Sequence, residues 1–186
     1  MPRWEAGAQD RLLNAAMELF TAEGYDQTSV ADIAAAAGVT ERTFFRHFAD
    51  KREVLFGGAN LLEEPMLAAL ADGPDPAANP GCAMLSALTA AGEALESRRD
   101  FTRRRHAVVA SHASLREREL LKLAGLADSA ADALRQRGVS EEEAVTVAEV
   151  AVTLFRVAFE RWVSDAGAGS FAEVLAVAAG HLGRWR

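Results

Sequence analysis

Cysteine is nearly absent from this chain. Cys82 is the single one, which excludes an internal disulfide and any cysteine-built zinc cluster, and reads as a small semi-buried filler. His106 and His112 lack a second ligand set at metal spacing, so no metal site is expected. No run of about 18 apolar residues escapes interruption by charge, which argues against a membrane span. The opening MPRWEAGAQD lacks the apolar core of a signal peptide, so a cytoplasmic protein is expected. A nucleophile–base set, a glycine-rich phosphate loop and a carboxylate pair are all missing, and the neighbours Ser111 and His112 make poor geometry for a triad. An enzyme is therefore not expected, nor a cofactor. Positive charge is also short: the net charge is −7, and residues 1–56 carry six basic against nine acidic side chains. That balance disfavours a nucleic-acid partner held by bulk electrostatics. Distribution tells more than the sum, because four of those six positives lie between Arg42 and Arg52.

What is present is enough chain for a small head and one larger core, with half of the 186 residues hydrophobic. The stretch Thr28–Phe56, TSVADIAAAAGVTERTFFRHFADKREVLF, contains three helix starts in quick succession. Ser29 with Asp32 forms a capping-box variant, and the run from Val30 ends at Gly38, suited to the left-handed end of a helix. Thr40 caps a second helix two residues later, and Asp50 with Glu53 caps a third. Helix, glycine turn, helix is the form of a helix-turn-helix. Val30, Ile33, Ala34 and Ala37 make one apolar stripe, and Phe44 and Phe48 face the same core. Thr40, Glu41, Arg42, Thr43, Arg46 and His47 are left on an outer face able to reach base edges or phosphates. An ordinary solvated face would look the same on an isolated helix; the capped helix-turn-helix setting favours DNA.

These residues, with Arg11–Leu12–Leu13, Ala15–Ala16, Leu19–Phe20 and Gly24 before them, and Thr28–Ser29–Val30, Ala37–Gly38–Val39–Thr40, Thr43–Phe44–Phe45, His47–Phe48 and Lys51 within them, resemble the N-terminal domain of the tetracycline-repressor (TetR) family. The resemblance covers about the first third of the chain. It implies an all-α fold of about nine helices, a DNA-binding head over 1–56 and a helical ligand-binding and dimerisation domain over 57–186. The candidate DNA contacts are Thr28, Ser29, Thr40, Glu41, Arg42, Thr43, Phe45, Arg46, His47 and Lys51. Arg42 and Thr43 are assigned to bases, and Thr28, Thr40, His47 and Lys51 to phosphates. The family pattern has tyrosine where Phe45 stands; Phe45 has no hydroxyl for a phosphate and is left with packing, a sugar or a thymine methyl.

Along the rest of the chain, the first helix is expected from Gln9 to Glu23, preceded by an arm whose Arg3 and Trp4 suit either a minor groove or disorder. The helix begun after Asp50 is expected to run through Leu61 and Leu62 and to kink or break near Glu63–Glu64, ahead of Pro65. Asp72–Pro80, with three prolines, is the one clear loop. A helix from Cys82 to Ser97 follows. The cluster Arg98, Arg99, Arg103, Arg104 and Arg105 reads as solvated helix ends in preference to a second nucleic-acid patch. Capping pairs Ser114–Glu117, Ser140–Glu143 and Ser170–Glu173 open three more helices. The last two are apolar over more of their circumference than a monomer surface allows, which predicts a four-helix dimer interface using Val147, Val150, Leu154, Val157, Val174, Ala178 and Leu182.

A ligand cavity would draw on Met84, Leu88, Phe101, Val108, His112, Leu121, Phe155, Phe159 and Trp162, each of which also suits plain core. Arg156, inside an apolar segment, implies either an ion-pair network with Glu149 and Glu160 or a charge that meets a ligand anion. The expected function is a homodimeric repressor of a palindromic double-stranded operator, released by a small hydrophobic effector. The alternative is a regulator of the same type controlled by a protein partner or by abundance.

Overall fold

The computed structural model describes residues 3–57 and 60–183, with side chains from residue 7 to 57 and from 62 to 183. Among the described residues there are ten helices and no strand: α1 (Arg3–Ala22), α2 (Val30–Ala36), α3 (Glu41–His47), α4 (Glu53–Phe56), α5 (Asn60–Asp72), α6 (Pro80–Glu96), α7 (Arg99–Ser111), α8 (Ala113–Gln136), α9 (Glu141–Ser164) and α10 (Phe171–Leu182). The backbone is helical from Arg3, so α1 starts earlier than the apolar pattern indicated. The Arg3 and Trp4 side chains, assigned to an arm, lie outside the described residues.

The chain divides into two compact units, one of residues 1–59 with 104–119 and one of 60–103 with 120–186. In the first, α1 packs on α2 and α4, and α2 packs on α3. Leu12, Ala16, Met17, Ile33, Phe44 and Phe56 are all at most 2% exposed there. In the second, α5 and α6 form the most extensive helix pair, and α9 packs on α6 and α10. The buried face of α9 is Ala144, Ala148, Ala151, Val152, Phe155, Ala158, Trp162 and Val163, the helical spacing of one broad stripe.

Side-chain caps set five of the helix starts. Ser140 accepts from the Glu143 amide, and Ser170 and Glu173 complete a reciprocal capping box. Asn79 caps α6 with Pro80 at its first position, a start signal the apolar pattern overlooked by two residues. Two expectations are corrected. Ser114 does not cap α8: the His112 carbonyl accepts the first helical bond, from Arg116, at 3.1 Å, and the Ser114 hydroxyl meets His112 Nδ1 at 2.9 Å. Nor does the chain break at Pro65, which lies inside α5. Met66 and Leu70 are at most 1% exposed, and burying each is worth about 1.5–3 kcal/mol, which together outweighs the roughly 3 kcal/mol cost of an interior proline. The helix ends instead at Phe56, with Gly57 as its C-cap.

Candidate nucleic-acid interface

Two seven-residue helices make the reading element, and each is too short to persist alone. Local chemistry sets their ends. The Ser29 hydroxyl accepts from the Asp32 amide at 3.1 Å, while Asp32 accepts from the Ser29 amide at 2.9 Å. The Ser29 hydroxyl also donates to Asp32 Oδ2 at 2.5 Å, and that bond, ahead of the one from the Ser29 amide, holds the Asp32 carboxyl below its ordinary range. At the other end Gly38 takes φ +67°. Its amide bonds the Ala35 carbonyl at 3.0 Å and the Val39 amide the Ala34 carbonyl at 2.9 Å, the two bonds of a Schellman turn that only an unstrained left-handed residue permits. Arg11 Nε on α1 donates to the Ala37 carbonyl at 3.2 Å, placing a cation at the negative end of α2. Thr40 then starts α3, accepting from the Thr43 amide at 3.2 Å.

The turn leaves α3 with Phe44 fully buried and Phe48 at 4% exposure beneath it. Glu41, Arg42, Phe45 and Arg46 stand on the exposed side, with Thr43 and His47 half-buried at its margin. Phe45 is 54% exposed and meets Phe44 edge-on, ring centroids 5.4 Å apart.

Three of the phosphate assignments need correction in detail. Thr28 is buried, and its hydroxyl donates to the Gly24 carbonyl at 3.0 Å, so its side chain fastens the α1–α2 turn. Lys51 donates to the Tyr25 and Thr28 carbonyls at 2.7 and 2.9 Å and lies 4.1 Å from the Tyr25 ring centroid. Two of its three ammonium hydrogens are thus committed to the same turn, leaving one for DNA. His47 Nε2 is buried without a hydrogen-bond partner among the described residues, so that nitrogen is not presented to a phosphate. Arg52 pairs with Asp50 at 2.8 Å. That guanidinium, ahead of the Glu53 and Arg52 amides, holds the Asp50 carboxyl below its ordinary range. A lowered carboxyl stabilises the fold above its unfolded pKa and loses that contribution as pH falls through the folded value.

Of the arginine cluster, Arg98 and Arg104 are exposed as expected of solvated helix ends, whereas Arg99, Arg103 and Arg105 bond within the chain. Arg105 donates to the Leu55 carbonyl at 2.8 Å and to both oxygens of Glu119 at 3.1 and 2.7 Å. Arg118 makes a two-pronged pair with Glu53 at 2.6 and 3.0 Å. Both guanidinium groups lie over Phe56, at 5.0 and 5.6 Å from its centroid. His112 meets Asp26 at 3.0 Å and the Tyr25 ring at 4.8 Å. Residues 104–119 therefore clamp α4 and the α1–α2 turn within the first unit, although the sequence boundary at 56 had assigned them to the second domain. Arg118→Ala is expected to cost about 1–2 kcal/mol in urea unfolding, since the pair is partly exposed. A double-mutant cycle with Glu53→Gln should return a coupling above ~0.5 kcal/mol, and additive losses would remove the clamp.

The proposed pocket residues are dispersed. Met84, Leu88, Phe155 and Trp162 are buried in the core of the second unit, with Phe159 half-buried against it. Phe101 is half-buried on α7, while Leu121 is 61% exposed. Val108 and His112 belong to the first unit. Arg156 is exposed on α9, so it is not the buried charge that its apolar neighbours implied. An open cleft of about 230 Å³ lies elsewhere, between Ala127, Ala131, Arg135, Val145 and Glu149. Of the dimer candidates, Val150 and Val157 are 41% and 50% exposed, and Val147, Leu154 and Leu182 are half-buried. Val174 and Ala178 are already covered within the chain.

The family profile described as "Bacterial regulatory proteins, tetR family" matches residues 12–56, which run from within α1 to the end of α4. The transcriptional regulator MftR of Mycobacterium tuberculosis is 31% identical over 153 residues, covering 81% of this chain and 77% of MftR. The chain belongs to the TetR family. TetR proteins are DNA-binding transcriptional regulators, not enzymes. The HTH-type transcriptional regulator TcmR of Streptomyces glaucescens is 50% identical over 62 residues, 33% of this chain and 27% of TcmR. Similarity to TcmR is thus confined to one part of each protein. The crystal structure of the Thermus thermophilus TetR-family repressor FadR, in complex with lauroyl-CoA, is similar with a TM-score of 0.56 at 25% identity, covering 94% of this chain and 92% of FadR. No described helix is long and apolar enough to cross a membrane.

Proposed function

We propose that this TetR regulator is a homodimeric repressor of a palindromic operator, with residues 1–56 reading DNA and 57–186 binding an effector and dimerising. The observation that carries the reading is the two-sided α3: Phe44 sealed beneath, and Arg42, Phe45 and Arg46 exposed above. Arg42 and Thr43 read base edges, Thr40, Arg46 and His47 meet phosphate, and Phe45 meets sugar or a thymine methyl. Few cations stand on that face, so one head binds weakly, and two heads about 34–36 Å apart are needed to hold a site. Exposed Val150 and Val157, one heptad apart on α9, and Val177 on α10 are apolar surface of the kind that a second copy covers. The lauroyl-CoA in the FadR structure supports an apolar small-molecule effector, which would favour a dimer whose heads no longer match the operator spacing.

Control by a protein partner or by abundance is the second reading. It draws on the packing of Met84, Leu88, Phe155 and Trp162 into core. Selection of binding sites from random DNA, followed by compound-driven release, separates the two. The expected motif is palindromic, and Arg42→Ala should relax base preference at one position of each half-site, with a loss of about 1–3 kcal/mol. A motif without two-fold symmetry, or one unchanged by Arg42→Ala, would count against the reading.

A further inference from the structure

Among the described residues, four buried side-chain atoms lack a hydrogen-bond partner: His47 Nε2, Arg99 Nε, Arg103 Nη2 and Trp162 Nε1. The last three share one corner of the second unit, and all three are N–H donors. Arg99 and Arg103 sit one turn apart on α7 and reach the C-terminal end of α9. Arg99 Nη2 donates to the carbonyls of Trp162, Asp165 and Ala168 at 3.2, 3.3 and 3.1 Å. Arg103 Nε donates to the Val163 carbonyl at 3.1 Å. The Arg99 guanidinium carbon lies 4.8 Å from the centroid of the Trp162 ring. Each guanidinium thus has one edge pinned to the end of a helix, where a cation belongs, and another N–H left buried and unpaired. The indole N–H of Trp162, whose side chain is fully buried, is the third.

The carboxylates of this corner are directed to backbone amides and not to these three donors. The Glu96 carboxylate accepts from the Phe171 amide, and Asp165 accepts from the Gly167 amide at 2.8 Å. A water would satisfy a donor but adds two hydrogens that need acceptors of their own, and the carbonyls here serve the arginines. A group that only accepts, with several lone pairs and negative charge, is the chemistry that suits such donors. Arg99 and Arg103 are half-buried as residues, while their unpaired nitrogens are covered. The surroundings are aromatic: Phe159 and Phe171 lie 6.2 and 5.9 Å from Trp162, and Phe155 lies 5.8 and 5.4 Å from those two.

We propose that Arg99, Arg103 and the Trp162 indole form a carboxylate-binding site, and that its ligand is a monocarboxylic acid with an aromatic or bulky apolar body. Only its regulatory consequence rests on the small-molecule reading above, because binding is measurable without DNA. The probes are 4-phenylbutyrate and its uncharged counterpart 4-phenylbutanol, titrated into the ¹⁵N-labelled full chain. The Trp162 indole resonance is identified by its loss in Trp162→Phe. The acid is expected to move that resonance saturably and the alcohol to leave it in place. Arg103→Gln should weaken the acid at least ten-fold, and Arg103→Lys should recover part of the loss. An unmoved indole, equal shifts from acid and alcohol, or full affinity in Arg103→Gln would each overturn the site. Operator release is scored separately. Acid binding without release leaves the site standing and defeats the effector reading; release by the alcohol with an unmoved indole does the reverse.

Discussion

Phe44→Ala is expected to destabilise the first unit by about 3–5 kcal/mol and to abolish operator binding. The ring is fully buried and its centroid lies 5.4 Å from that of Phe48, so its removal leaves a cavity that two seven-residue helices have little means of closing. Those helices hold their mutual angle through few groups: Ile33 and Ala34 from α2, and Phe44 and Phe48 around α3. With the ring gone, α3 is free to shift by an ångström or more, and bidentate contacts to bases do not survive such a displacement. Phe45→Ala is the matched control. That side chain is 54% exposed, so its loss should change thermal stability by less than ~0.5 kcal/mol and act on DNA affinity alone. Melting curves and gel-shift titrations of the two variants test the assignment. A Phe44→Ala protein that melts and binds like the parent would show that α3 is oriented by something other than this ring.

The contrast between those adjacent phenylalanines was legible in the sequence, because it follows from helical period and a cap. Ser29, Thr40, Ser140 and Ser170 were readable for the same reason: each acts on an amide three residues away. Gly38 was readable because the turn demands its φ. What could not be read depends on partners distant in the chain. Arg118 finds Glu53 across 65 residues and Arg105 finds Leu55 across 50, so Arg105, which locally resembles part of a solvated helix end, joins Arg118 in a clamp on α4. The same holds for Lys51, whose positive charge between Arg42 and Arg52 suggested phosphate until Tyr25 and Thr28 were seen to occupy it. Pro65 misled because propensity speaks for one residue, whereas Met66 and Leu70 answer with burial. On α9 the period leaves Val150 and Val157 outward, but on α10 the period alone does not say that Val174 and Ala178 are consumed by the chain's own core.

Gly92→Ala poses a contest between two terms of opposite sign. Gly92 lies within α6, where alanine should gain about 1 kcal/mol of helix propensity. Its added methyl, however, would stand 2.1 Å from Cδ1 and 2.8 Å from Cε1 of Phe171. That ring opens α10 and has no room to yield: it is fully buried, meets Trp162 edge-on at 5.9 Å and lies 5.4 Å from Phe155. Overpacking of this kind costs about 1–3 kcal/mol or more, and a rigid aromatic held on three sides belongs at the upper end. The net expectation is a loss of about 1–2 kcal/mol, read as a lowered urea midpoint with an unchanged slope. Because the obstacle is the ring and not the backbone, Gly92→Ala combined with Phe171→Leu should be less destabilised than the two single losses summed. Strict additivity would mean that Gly92 is required for some reason other than the approach of Phe171. A single variant as stable as the parent would mean that α6 and α10 slide apart at little cost, and the aromatic cluster behind them would then be softer than its burial implies.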